Sequence, residues 1–197
     1  MTERQELAPL VSALADLVKW FEAAGVPGVV IGGVAASLLG RPRLTHDVDA
    51  LVMVDETRWQ ELVERGVQFG FQPRLPDALA FASRARVLLM RHVPSDVDVD
   101  VTFGTLRFEE EAVAHRTVVT VAGVALPLPT PEDLIIMKAV AHRPRDLSDI
   151  EAILDAHPNL DLERVRRWVR EFARAAGMPE IWADFQRLLK DREASRD

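Results

Sequence analysis

The chain has 197 residues, 48% of them hydrophobic and 28% charged, enough apolar material for a packed core, which excludes global disorder. It has no cysteine, which excludes a disulfide scaffold, thiolate zinc sites and a cysteine nucleophile. Its net charge of −7, from 31 acidic and 24 basic side chains, excludes a chain-wide affinity for nucleic acid, so a phosphate-binding groove would have to gather its cations locally. The charged start, Met1 to Glu6, lacks the apolar stretch of a signal peptide, and no window approaches the run of about 18 apolar residues that a membrane helix needs. The expectation is a soluble, cytoplasmic protein with no membrane partner.

Apolar residues recur at helical spacing from Leu7 to Phe21, and Gly25 with Pro27 ends that helix. Gly28 to Ile31 reads as a buried strand running into Gly32-Gly33, and Val34 to Leu39 as a short helix closed by Gly40. Asp47 to Val54 is an expected strand and Thr57 to Val67 an expected helix. Val87 to His92 and Val97 to Phe103 are two further strands around the Pro94-Ser95 turn. Phe108 to Ala114 reads as a short helix, and Thr117 to Val121 with Val124 to Leu128 as a hairpin about Ala122-Gly123. Thr130-Pro131-Glu132-Asp133 is a helix start, with Thr130 as N-cap and Pro131 at the first helical position. From there nearly everything reads as helix, with breaks near Pro144, His157-Pro158 and Gly177. The expected fold class is α+β, a mixed sheet with flanking helices. Its expected parts are a core over residues 1–128 and a helical region, packed on that core, over 129–197.

Two segments carry carboxylates that a plain strand does not favour: Asp47-Val48-Asp49 and Asp96-Val97-Asp98-Val99-Asp100. Side chains alternate across a strand, so Asp47 and Asp49 share one face, as do Asp96, Asp98 and Asp100. Like charges on one face repel, and a hard divalent cation would relieve them. A solvated polar face would produce the same alternation. Gly32-Gly33 allows close backbone approach to a phosphate, with the helix behind it adding a favourable dipole. There is no Gly-Lys-Ser/Thr phosphate loop, no Gly-x-Gly-x-x-Gly and no His-Glu-x-x-His in the chain.

The glycine pair, thirteen residues and then Asp47-Val48-Asp49 between apolar residues resembles the signature of the DNA polymerase beta superfamily of nucleotidyltransferases. Arg41-Pro42-Arg43-Leu44-Thr45-His46-Asp47-Val48-Asp49 is similar to the minimal and AbiEii-type members. So are the later Pro131-Glu132-Asp133-Leu134, Lys138, Arg143 and Asp146-Leu147-Ser148-Asp149-Ile150. Many superfamily members have Gly-Ser where this chain has Gly32-Gly33, whereas the AbiEii-like branch commonly has Gly-Gly.

The resemblance implies that Asp47, Asp49 and a third carboxylate hold Mg²⁺ or Mn²⁺, with Asp100 the choice for the third position and Asp98 on the same face. It implies a nucleotide phosphate at Gly32, Gly33 and Arg43, with Ser37 as a substitute for the missing serine. Lys138 would hold a phosphate as a point charge, and Asp149 would join the catalytic set. The implied function is transfer of a nucleoside monophosphate from an NTP, with release of pyrophosphate, by the toxin of a toxin–antitoxin pair acting on the tRNA 3′ end. Transfer of AMP to a partner protein and modification of a small molecule are the enzymatic alternatives, and a nucleotide-binding interaction module the non-enzymatic one. The implied partners are NTP, tRNA and a cognate antitoxin protein.

Overall fold

The computed structural model describes residues 3–194; Met1 and Thr2 of the charged start, and residues 195–197 of the expected helical region, lie outside the described residues. The chain divides into two units. One holds the chain up to Val34 together with Leu44–Pro129; the other holds Ala35–Arg43 and the chain from Thr130 on. Among the described residues no helix is long and apolar enough to cross a membrane.

The first unit is built on a five-stranded mixed sheet. Helix α1 (Glu3–Ala24) leads to β1 (Gly28–Ile31), and β2 (Asp47–Val52) follows the excursion into the second unit. Next come α3 (Trp59–Gln68), β3 (Phe71–Pro73) and α4 (Ala78–Ala85). The chain continues through β4 (Val87–His92), β5 (Val97–Phe103) and α5 (Arg107–Ala114). The strand order is β1-β2-β5-β4-β3, with β2 and β5 parallel and the other neighbours antiparallel. A separate hairpin, β6 (Thr117–Val121) and β7 (Val124–Leu128), closes the unit.

β5 shows most clearly why the sheet stands. Its odd-numbered residues Val97, Val99, Val101 and Phe103 are buried, while Asp98, Asp100 and Thr102 keep partial exposure. The apolar face packs on aromatic anchors. Trp20 is fully buried, stacks on Phe71 at 4.8 Å between ring centroids, and donates its indole N–H to the Leu62 carbonyl at 2.8 Å. Trp59 lies 3.9 Å from Phe103 in a near-parallel stack. Such rings bury a large apolar area with their polar edges satisfied.

The second unit is helical: α6 (Pro131–Ala141), α7 (Pro144–Ala156), α8 (Leu162–Ala176) and α9 (Pro179–Ala194). Thr130 caps α6 by accepting the Asp133 backbone N–H at 3.2 Å, as Thr-Pro-Glu-Asp predicts. Helix α6 packs on α7, α8 and α9. The strip Ala35–Arg43 groups with these helices although it precedes them by nearly a hundred residues. Its anchors are Arg43 on Asp149 and the Leu39 carbonyl, which lies 2.7 Å from Nε2 of His157.

Candidate active site

In the first unit, β2 and β5 run parallel in a register that sets Asp47 opposite Asp98 and Asp49 opposite Asp100. The four carboxylates therefore occupy one face of two neighbouring strands, while Val48, Ala50, Val99 and Val101 are buried on the other. Asp47 is exposed and accepts the Thr45 hydroxyl at 2.7 Å; the other three are half-buried.

Helix α2 (Gly32–Leu39) begins at the first glycine itself, two residues earlier than the sequence pattern places it. Gly32 has φ +63, and a Cβ added there would sit 1.9 Å from Oδ2 of Asp49. That position needs glycine for both reasons, the left-handed turn and the close approach of the Asp49 carboxylate. Gly33 is buried within the same helix.

The charge on this face is unevenly met. Arg74, just beyond β3, donates to Asp98 at 2.9 Å and to Asp100. Arg91 donates to the other oxygen of Asp98 at 2.8 Å and to Asp96 at 2.6 Å. Burial nonetheless raises the Asp100 carboxyl above the ordinary aspartate value. Arg74 pulls it down, while Asp47 and Asp98 push it further up. Like charges gathered on one strand face repel one another, and a cation would relieve that repulsion.

Carboxylate oxygens suit a hard divalent cation, and Mg²⁺ typically takes one or two carboxylates together with substrate phosphates. Among the described residues no three acidic or histidine side chains converge into a ready-made cage. Asp47 and Asp49, two residues apart on one face, supply the two carboxylates such an ion needs, so the donor set fits.

In the second unit, Lys138 is only 6% exposed and its Nζ lies 2.8 Å from Asp146 and 2.7 Å from Asp149. Arg43 adds a two-pronged contact to Asp149, at 2.9 and 3.0 Å. Burial works against the charge on Asp149, but the bonds from Arg43 and Lys138 prevail and hold its carboxyl below the ordinary value. Two of the three ammonium donors of Lys138 are thus taken by carboxylates, which leaves one for a further acceptor. The Ser37 hydroxyl donates to the Arg43 carbonyl at 3.0 Å, so it braces the segment that carries Arg43. His46 is exposed.

Arg74 is the residue that sequence reasoning missed. It follows a three-residue strand containing Pro73, too short to show an alternating pattern, and nothing in its neighbourhood marks it.

Residues 7–186 match the family described as a nucleotidyltransferase of unknown function (DUF6036). The chain belongs to this nucleotidyltransferase family. No curated protein matches it. Among solved structures, this nucleotidyltransferase is similar to an adenylyltransferase, ANT(2″)-Ia, in complex with adenylyl-2″-tobramycin. The identity is 16% and the TM-score 0.58, over 85% of this chain and 98% of that one. It is similar to an antigenic nucleotidyltransferase-like protein from Paracoccidioides brasiliensis at 15% identity and TM-score 0.52, over 91% of both chains. The lincosamide antibiotic adenylyltransferase LnuA, lincomycin-bound, shares 14% identity at TM-score 0.50, over 80% of this chain and 99% of that one. At these identities the likeness is one of fold, and it supports the α+β nucleotidyltransferase architecture.

Proposed function

We propose that this nucleotidyltransferase moves a nucleoside monophosphate from an NTP to the 3′ end of tRNA, with divalent-metal assistance, as the toxin of a toxin–antitoxin pair. The observation that carries the transfer chemistry is the register of β2 and β5, which lines up Asp47, Asp49 and Asp100 on one face beside Gly32. The tRNA and antitoxin assignments rest on the resemblance of Arg41–Asp49 and Lys138–Ile150 to AbiEii-type enzymes.

Asp47 and Asp49 would hold Mg²⁺ or Mn²⁺, with Asp100 completing the set. The ion would supply charge neutralisation at the triphosphate and a lowered pKa at the attacking hydroxyl. The chain's own part is positional. The Thr45 hydroxyl orients Asp47, the turn at Gly32 brings backbone within reach of Asp49, and Arg74 restrains Asp100 directly while also binding Asp98. The rate gain of such a site comes from held geometry and fixed charge rather than from a covalent intermediate.

The test is a transfer assay with purified protein, Mg²⁺, each α-labelled NTP in turn and total tRNA. Label in tRNA supports the reading. Label on protein alone replaces it with AMP transfer to a partner, the alternative implied by the minimal nucleotidyltransferases. Label on an added aminoglycoside alone places this chain with the small-molecule adenylyltransferases whose fold it shares.

A further inference from the structure

Helix α8 carries five arginines and only two acids, Glu163 and Glu171, in a chain whose total is −7. The arginines fall into two groups. Arg164 lies 2.6 Å from the buried Asp133, and Arg166 meets Glu163 at 2.9 Å and Glu193 at 3.8 Å. Those two are structural. Arg167, Arg170 and Arg174, spaced three and four apart, share one exposed face of the helix. Among the described residues none of the three has a carboxylate partner, and Glu171 pairs with none of them.

This cationic face borders a cleft of about 360 Å³ at the junction of α8 and α9. The cleft exists because the junction is built from small residues. Gly177 ends α8 in a left-handed turn with φ +65, Pro179 opens α9, and Ala173 sits one turn back. A Cβ at Gly177 would meet nothing within 4 Å. One wall is the half-buried indole of Trp182, over which the Arg170 guanidinium lies at 4.4 Å from the ring centroid. Arg174 lines the same cleft. A guanidinium laid over an aromatic ring, with a second cation beside it, matches one ligand chemistry, a planar base attached to a phosphate. With a rise of about 1.5 Å per residue, Arg167 to Arg174 extends about 10 Å, longer than a single phosphate and suited to consecutive ones.

We propose that the α8–α9 cleft binds one nucleotide unit of a single-stranded nucleic acid. Its base lies against the Trp182–Arg170 stack, and its phosphate and the next lie on Arg174 and Arg167. The choice of a nucleotide as ligand rests on the transfer reading, but the binding itself needs neither NTP nor metal and can be measured without them.

The experiment is fluorescence anisotropy of a labelled 12-nucleotide single-stranded RNA with the full chain, in EDTA and without NTP, across a salt series. Wild type is expected to bind with a clear salt dependence. The R170Q/R174Q double variant should bind at least about tenfold more weakly, with the slope of log K against log salt reduced by about 0.7, for the one phosphate that Arg174 holds. Trp182→Phe should keep most of the binding, because a ring remains, and Trp182→Leu should lose about tenfold or more. R170K/R174K, which keeps the charge, should recover most of the salt-dependent part. Unchanged binding and slope in R170Q/R174Q, with its fold verified by circular dichroism, would overturn the proposal. So would displacement of the RNA by AMP at equal site concentration, which would make the cleft a free-nucleotide site. Loss of transfer activity in an Asp47→Asn variant that still binds RNA would bear on the transfer reading and leave this proposal intact.

Discussion

The two acidic clusters of this nucleotidyltransferase are opposites. On the β2–β5 face, four aspartates share space with Arg74 and Arg91, and burial leaves the Asp100 carboxyl raised. In the helical unit, Asp146 and Asp149 are met by Lys138 and Arg43, and the Asp149 carboxyl is lowered. The first cluster crowds four carboxylates onto one strand face; the second gathers two carboxylates around Lys138 and Arg43. Similar residue types thus sit in two electrostatic settings, and their carboxyl shifts run in opposite directions, up at Asp100 and down at Asp149.

The sharpest way to break this contrast is Lys138→Met. It leaves Asp146 and Asp149 buried with Arg43 alone, and removing one partner of a buried ion cluster costs about 3–5 kcal/mol. Urea unfolding should show a fall of that size; a change under about 1 kcal/mol would mean that the cluster is not closed in solution. Gly32→Ala comes next. The left-handed position alone costs about 1–2 kcal/mol, and the new methyl group would strike the Asp49 carboxylate. Stability and transfer rate should therefore fall together, whereas a fall in stability alone would detach Gly32 from the site.

Two smaller effects sharpen the contrast through pH. Carboxyl ¹³C NMR should find Asp149 titrating below the ordinary aspartate range and Asp100 above it. The stability that Asp149 contributes is present above its unfolded pKa and lost as pH falls through its lower folded value. Asp100 runs the other way: its contribution is present below its unfolded pKa and lost as pH rises through its higher folded value. Arg74→Ala should raise the Asp100 value further, since Arg74 holds it down, and should leave Asp149 unmoved. If the two carboxyls titrated together, the contrast would fail.

Much of the fold was legible where local pattern and chain chemistry agree. β4, β5 and the hairpin fall where alternation and turn residues place them, and the Thr130 cap sits where its motif predicts. The strand pair carrying Asp49 and Asp100 was visible as two alternating segments, but their parallel register depends on long-range pairing that no local pattern encodes. β3 and α4 were not legible, the first being three residues with a proline and the second a short helix without a side-chain cap. Arg74 stayed hidden for that reason. The pairing of Lys138 with Asp146 and Asp149 was equally hidden, because spacing within one helix does not encode a contact with the next. The segregation of Ala35–Arg43 with the helical unit is a contact made across a hundred residues of chain.

The central claim is that the β2–β5 aspartate face carries out nucleotidyl transfer. The most direct measurement is NTP-dependent pyrophosphate release, with Mg²⁺ and total tRNA as acceptor, by wild type and Asp49→Asn, with circular dichroism and unfolding curves taken on both. The account predicts a loss of at least about 100-fold in the variant, more than changing a mere outer-shell partner of a metal typically brings. It also predicts that the variant remains folded, because asparagine has nearly the shape and size of aspartate. A folded Asp49→Asn protein that releases pyrophosphate at the wild-type rate would contradict it.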